Sequence, residues 1–378
     1  MAFKLEQAKP HTIKKFEVIS NYVDGWARKI LGYDGKDGQS GSKGIIYIDC
    51  MSNAGMYTDE FGVEVKGTVI RVAETISKLI ENYPDKNAVL IFNDYDQNKI
   101  NTLESYIKSL GIDNTDQFQI VTKCGDKDEF LKSLTGVIQS KYRGYNILLL
   151  YDPYMAALNW EAITPYLNMW GEVIINHMVS DTERAAKQVK KDEAKEKYQE
   201  TYQEDIEKII ELGVERNGLE QQIHKIIKNR ASQQYDMYIA SFPFFTRKNR
   251  IQYNLIFCTH SVKGIKLFKQ KAWDAFGGKS SMKKKSTTDT VQLMFNLDME
   301  IVQPDDTDED CYTIKDVAKY IMEKYGDRDD LNLKEVYEDL DTHPVFPSDG
   351  YKNEIKKELK ERYKVEIKRD NTVVFNKE

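Results

Sequence analysis

Carboxylates recur in this sequence at one kind of place, the end of a short apolar run. Asp49 closes Gly44–Asp49 (GIIYID), Asp94 follows Asn87–Phe92 (NAVLIF), Asp126 follows Phe118–Thr122 through Cys124-Gly125, and Asp152 follows Asn146–Tyr151 (NILLLY). If these runs are strands of one sheet, the four acids share its edge, where a small ligand can be held by its hydroxyl and amino groups. Asp49 opens a loop in which Ala54 and Gly55 are small enough to let backbone amides approach a ligand's carboxylate and ammonium; an ordinary loop is the alternative. Asp94 suits two ribose hydroxyls, with Asp96 as fallback, and Asp126 suits an adenine amine; each acid equally suits a helix cap. Asp152-Pro153-Tyr154 is the sharpest signal. An acid or its carbonyl can bond a planar amine while the proline fixes the turn and the aromatic ring stacks on a base, an arrangement suited to a flipped-out nucleobase; a plain strand-ending turn is the alternative.

The elements that would position these residues alternate. A helix over Thr12–Leu31 carries Phe16, Ile19, Val23, Trp26, Ala27 and Ile30 at helical spacing, and a loop rich in Gly, Ser and Asp ends it. Strands Gly44–Asp49, Asn87–Phe92, Phe118–Thr122, Asn146–Tyr151 and Glu172–Asn176 are then separated by a glycine-bearing loop, Cys50–Lys66, and helices Val69–Asn82, Lys99–Leu110, Asp128–Lys141 and Trp160–Met169. That alternation predicts a parallel sheet covered on both faces, its strand-to-helix loops along one edge. The stretch Asp181–Ser232 predicts a protruding helical insertion, divided at Gly213 and Asn217-Gly218, with an apolar isoleucine stripe available for self-association. Strands Met237–Phe245 and Gln252–Thr259 predict a closing antiparallel hairpin. Five parallel units and such a hairpin make the class I methyltransferase-like, Rossmann-like plan, whose cofactor is S-adenosylmethionine.

The remainder divides by composition. Residues 1–43 form an N-terminal helix and loop, 44–290 the α/β domain containing the 181–232 insertion, 291–310 an acidic linker with Gln303–Asp310 (QPDDTDED), and 311–378 a tail. Helices Ile314–Tyr325, Leu333–Leu340 and Gly350–Tyr363, then a small hairpin around Asp370-Asn371, predict a winged-helix-like domain whose third helix offers Lys352, Lys356, Lys357, Lys360 and Arg362 to nucleic acid, DNA or RNA, or a protein partner. Phe242, Phe244 and Phe245 beside Arg247, Lys248 and Arg250 predict an aromatic and cationic lip for single strands. The lysine-rich segment Lys263–Lys285, ending in Lys283, Lys284 and Lys285, predicts phosphate contact or a solvated helix face.

With 378 residues, 40% hydrophobic and 31% charged, the chain has the composition of a globular protein of about two domains. Its net charge of −6 argues against a uniformly basic coat while leaving room for local basic faces. No apolar run reaches a bilayer's span, and MAFKLEQAKPHTIKKF lacks a signal peptide's apolar core, so the expected location is the cytoplasm. The four scattered cysteines form no CxxC pair and are expected as buried free thiols; no His–carboxylate cluster suggests a metal.

Taken in order, His11-Thr12, Lys14-Lys15 and Trp26, Tyr47-Ile48-Asp49, Ala54-Gly55, Gly67-Thr68-Val69, Asp152-Pro153-Tyr154 with Trp160, Ile174-Ile175-Asn176 and Tyr253–Thr259 with Gly264 resemble the bacterial three-Cys-motif partner protein (TcmP) family over most of residues 10–275 and the helical tail. The resemblance implies a methyltransferase-like fold and a three-Cys-motif partner similar to radical S-adenosylmethionine enzymes. The family's Asp-x-Phe-Ala-Gly-x-Gly run becomes Asp49-Cys50-Met51-Ser52-Asn53-Ala54-Gly55-Met56 here, without its second glycine. The leading expectation is an S-adenosylmethionine-dependent methyltransferase acting on a nucleic-acid base amine. Asp94 would hold ribose, Asp126 adenine, and Asp152 with Tyr154 the target amine. The rivals are a non-catalytic subunit that scaffolds the three-Cys partner on nucleic acid, and a nucleotide-binding regulator using the same crevice.

Overall fold

The computed structural model describes residues 4–35, 41–153, 157–178, 192–214, 218–245, 251–282, 311–328 and 331–375. Helix α1 (Pro10–Leu31) starts at a proline, whose fixed φ and missing N–H suit a first turn, and buries Phe16, Ile19, Tyr22, Val23 and Trp26. Every residue of β1 (Gly44–Asp49) is buried. Ile45 and Tyr47 enter one core and Ile46 and Ile48 the other, as the period of two requires of a strand covered on both faces. The expected Cys50–Lys66 loop contains a small antiparallel hairpin, β2 (Met56–Thr58) and β3 (Glu64–Lys66). Three-residue strands are too short to show a period in sequence.

Next come α2 (Thr68–Ile80), β4 (Asn87–Asp94), α3 (Gln97–Ser109), β5 (Phe118–Cys124), α4 (Lys127–Lys141), β6 (Tyr145–Tyr151), α5 (Trp160–Leu167) and β7 (Gly171–His177). The insertion contributes α6 (Asp192–Tyr202), α7 (Ile206–Val214) and α8 (Gly218–Arg230) before β8 (Tyr238–Phe245), β9 (Ile251–Thr259) and α9 (Val262–Ala275). One sheet runs in the order β5-β4-β1-β6-β7-β9-β8. Neighbours from β5 to β7 are parallel, while β9 is antiparallel to both β7 and β8. This is the class I methyltransferase strand order, reversing direction of winding at β1, which puts a ligand crevice at the carboxyl ends of β1, β4, β5 and β6. Helices α1, α2, α3 and α9 share one core, and α4, α5 and the insertion share the other.

Among the described residues, the helices of the insertion pack on the sheet and do not protrude. Of the stripe Ile206, Ile209, Ile210, Ile223, Ile226 and Ile227 expected to serve self-association, Ile209, Ile223, Ile226 and Ile227 are buried in the second core with Tyr202, while Ile206 and Ile210 are half-buried. Polar contacts reinforce it: Trp160 Nε1 donates to the Thr201 carbonyl (2.8 Å), and Gln222 Nε2 to the Tyr202 carbonyl (2.7 Å). Its helices break at Gln203, which has a positive φ, and again where α7 ends at Val214 and α8 starts at Gly218, in line with the expected Asn217-Gly218 division; Gly213 lies inside α7.

In the tail, α10 (Ile314–Tyr325), α11 (Leu333–Thr342) and α12 (Lys352–Tyr363) precede an antiparallel pair, β10 (Glu366–Ile367) and β11 (Val373–Val374). These helices join the first core. Lys269 of α9, fully buried, donates to four tail carbonyls: Leu340 (2.6 Å), Asp341 (3.0 Å), His343 (2.7 Å) and Phe346 (2.9 Å). Burial lowers its pKa to about 7, against the pull of the Asp341 charge and, less, those of Asp349 and Asp339. Lys266 pairs with Asp341 (3.0 Å) and Asp349 (3.4 Å), and Trp273 Nε1 donates to the Val345 carbonyl (3.1 Å). These two lysines of the Lys263–Lys285 segment therefore clamp the tail, and neither of the expected roles, phosphate contact or a solvated face, describes them. No helix among the described residues is long and apolar enough to cross a membrane.

Candidate functional site

The loops that leave the central strands enclose a cleft of about 790 Å³. Cys50 and Met51 follow β1, Tyr95 follows β4, Gly125 to Asp128 follow β5, and Pro153 with Ala157 to Trp160 follow β6. The insertion closes the far side with Lys197, Glu200, Gln203 and Arg230, the Arg230 guanidinium lying 5.7 Å from the Trp160 ring centroid. The volume is that of a site for one small organic ligand with room beside it.

The strand-end acids differ from one another. Asp94 is buried, accepting from the Asn53 amide at Oδ2 (2.9 Å) and the Asp96 amide at Oδ1 (3.0 Å). It braces the turn after β1 instead of facing the cleft. Asn53 adopts φ +56 there and Gly55 φ +76, a region where a side chain is strained. A Cβ on Gly55 would stand 2.6 Å from Leu103 Cδ1 and 2.9 Å from Ile70 Cγ1, so this glycine answers to packing. Asn53 Nδ2 also donates to Glu6 (2.8 Å), which pairs with Lys99 (2.7 Å), so the N-terminal segment ties down the same turn. Asp96 caps α3 through the Asn98 amide (2.8 Å).

Asp126 is both cap and cleft residue. Its Oδ1 takes the amides of Asp128 (2.9 Å) and Glu129 (3.1 Å), which leaves Oδ2 to a ligand at the cleft wall. Tyr95, 79% exposed, offers a ring face on the neighbouring loop. A planar amine such as adenine suits this pair.

Asp49 is buried and accepts from the Met51 amide (3.1 Å). Burial, then the nearby Asp152 charge, push its pKa up to about 8. Asp152 forms an ion pair with Lys15 of α1 and accepts a hydrogen bond from Asn176 Nδ2 of β7, so both carboxylate oxygens are engaged within the protein. Pro153 lines the cleft, and Tyr154 lies outside the described residues. His177 is fully buried, bonded through Nε2 to the Tyr202 hydroxyl (2.7 Å), and desolvation lowers its pKa to about 3; it anchors the insertion.

Of the expected nucleic-acid lip, Phe242 and Phe244 are core residues, Phe242 meeting Phe268 edge-on and Phe244 stacking on Tyr253 at 5.0 Å between centroids. They share the inner face of β8, so those two rings are unavailable to bases. Arg247, Lys248, Arg250, Lys283, Lys284 and Lys285 lie outside the described residues, as does the 291–310 linker. Cys50 and Cys258 are buried, whereas Cys124 is exposed and Cys311 half-buried, contrary to the expectation of four buried thiols.

Sequence reasoning gave no role to Lys15, Tyr95 and the insertion wall. Lys15 had a signal, since it stands four residues before Ile19 on the inward stripe of α1. Tyr95 had one too, an aromatic directly after a strand-end acid.

No protein-family profile and no curated protein matches the chain, so the three-Cys-motif resemblance rests on its short motifs. Solved structures with similar backbones include the O-methyltransferase TomG of Streptomyces achromogenes, involved in tomaymycin synthesis and bound to SAM, at 12% identity and TM-score 0.33, covering 66% of this chain and 88% of that one. An rRNA methylase of Streptococcus thermophilus is similar at 9% identity and TM-score 0.29, covering 64% and 92% respectively. Likeness at this level assigns neither substrate nor residue roles.

Proposed function

We propose that the cleft holds the adenosyl part of S-adenosylmethionine and that the chain transfers its methyl group to an amino group of a nucleic-acid base. The supporting observation is the convergence of Cys50-Met51, Tyr95, Gly125-Asp126 and Pro153 from four adjacent strand ends on one cleft at the reversal of strand order. The adenine end fits, with Tyr95 against the ring and Asp126 Oδ2 accepting its amine. The ribose acid does not, because Asp94 is covered by the Asn53 and Asp96 amides. When bound, the cofactor supplies an electrophilic methyl group. The protein's part is alignment and exclusion of water, for which the Pro153 turn and the insertion wall are placed, and no strong base is required. Asp152, Pro153 and Tyr154 form the acceptor side of this proposal, and α12 and the basic segments at Arg247–Arg250 and Lys283–Lys285 its nucleic-acid contacts.

A second reading has its own observation. Asp94 and Asp152 are both engaged internally, which favours a non-catalytic subunit; that it would scaffold a three-Cys-motif partner is what the sequence resemblance adds. Calorimetry of the full chain with S-adenosylmethionine separates the two. Binding is expected, weakened about tenfold in Asp126→Ala for loss of one ligand hydrogen bond. No heat at millimolar cofactor would favour the scaffold.

A further inference from the structure

Helix α1 lies outside the five parallel units, yet its Lys15 reaches their ligand edge. The residue is 7% exposed, and its ammonium pairs with Asp152 Oδ2 while Asn176 Nδ2 of the adjacent strand holds Oδ1. A buried lysine needs a partner and a fixed route. The route is supplied by Tyr253 of β9, whose ring centroid lies 5.3 Å from Lys15 Nζ and whose hydroxyl donates to the His11 carbonyl at the start of α1 (2.9 Å). Lys14 Nζ donates to the Ala275 carbonyl (2.8 Å), fastening the same turn of α1 to the end of α9. Asp49 thus ends β1 and Asp152 follows β6, its neighbour in the sheet, and Lys15 pairs with Asp152 while its charge also favours ionised Asp49. Without it, Asp152 keeps, among the described residues, the neutral Asn176 amide as its side-chain partner beside another acid, and a carboxylate so placed favours turning out toward water and the cleft.

We propose that Lys15 is a positioning residue for the methyl-acceptor side: it turns the Asp152 carboxylate away from the cleft, toward Asn176, and so fixes the Asp152-Pro153 turn against which the acceptor is aligned. This inference rests on the methyltransferase reading. On this arrangement the Asp152 side chain is not the acceptor's partner. What meets the acceptor is the backbone of the turn, and Lys15 acts through Asp152 without touching it.

The test uses the full chain with Lys15→Met, Lys15→Arg and the double variant Lys15→Met with Asp152→Asn. S-adenosylmethionine binding is followed by calorimetry, and turnover on unmethylated in vitro transcribed ribosomal RNA fragments and PCR-amplified DNA. Lys15→Met should bind cofactor within about threefold of the unsubstituted protein and lose at least about fiftyfold in kcat, with Lys15→Arg recovering most of it because guanidinium can also pair with Oδ2. The double variant removes both charges and guards against a simple folding defect. It should regain the unsubstituted melting temperature and stay slow, because the turn has lost its brace. Undiminished kcat in Lys15→Met, or restored kcat in the double variant, would overturn the role of Lys15 alone. Absence of cofactor binding or of turnover in the unsubstituted protein would overturn the methyltransferase reading and this role with it.

Discussion

Replacing Lys269 by methionine keeps the aliphatic stem and removes an ammonium that satisfies four carbonyls of the tail. Two of these, Leu340 and Asp341, belong to the last turn of α11, where the helix dipole favours a cation; the Leu340 carbonyl also accepts from the His343 amide (3.2 Å) and keeps that bond. A dry carbonyl without a donor costs about 1 kcal/mol at the least. With the other three stranded, the loss is about 3 kcal/mol, the range expected when one side of a buried ionic cluster is deleted. The cost should fall on attachment of the tail, because the α9 side keeps its apolar contacts through Phe268, Ala272 and Trp273. Native-state hydrogen exchange reads this directly. Amides of α10 to α12 should exchange on the order of 100-fold faster, at 1.4 kcal/mol per tenfold, while those of β1 and β6 hardly change. Exchange in 314–363 within threefold of the unsubstituted protein would refute the view that this lysine fastens the tail.

Other expectations concern the cleft and the core. Asp49, raised to about 8 by burial and Asp152, ionises more readily unfolded than folded, so its contribution to stability falls as pH rises from about 4 to 8. Asp49→Asn should therefore match the unsubstituted protein near pH 4 and exceed it increasingly up to pH 8 in urea midpoints; a constant difference across that window would contradict the assigned burial. Gly55→Ala combines a left-handed backbone with contacts at 2.6 Å and 2.9 Å, and should lose about 2–5 kcal/mol by chemical denaturation. An unchanged midpoint would mean that the loop is looser than described. Asp126→Ala should lower stability by about 1 kcal/mol through the α4 cap, separately from its effect on cofactor affinity. Equal stability of variant and parent would show that the cap is not formed.

Strands β1, β4 and β6 were legible because a strand covered on both faces reads as an unbroken apolar run between turn signals, and right-handed crossovers leave little freedom in how such runs assemble. What stayed hidden was the destination of side chains. The stripe of Ile209, Ile223, Ile226 and Ile227 is the same whether it covers its own sheet or a second chain. Asp94 and Asp126 carry identical chemistry at equivalent strand ends, yet one is sealed by two backbone amides and the other keeps an oxygen for the cleft. That difference arises from the turn at Asn53, which no periodicity records. Lysine-rich composition hid Lys269 and Lys266 in the same way, because the acceptors that make them structural lie some 70 residues further on.

The clasp between α1 and the last elements of the α/β domain has a bearing on biosynthesis. Tyr253 bonds His11 across 242 positions, and Lys14 bonds Ala275 across 261. On a ribosome, α1 emerges well before the closing hairpin and α9 that fasten its first turn. Phe16 meets Tyr57 (4.8 Å between centroids) and α1 packs on α2, so part of its face is covered early; the part closed by β9 and α9 waits, at synthesis rates of about 5–20 residues per second, for roughly ten seconds or more. A nascent chain with that exposure is a natural client for a chaperone that shields amphipathic helices, and truncations ending before Tyr253 should aggregate where the whole chain remains dispersed.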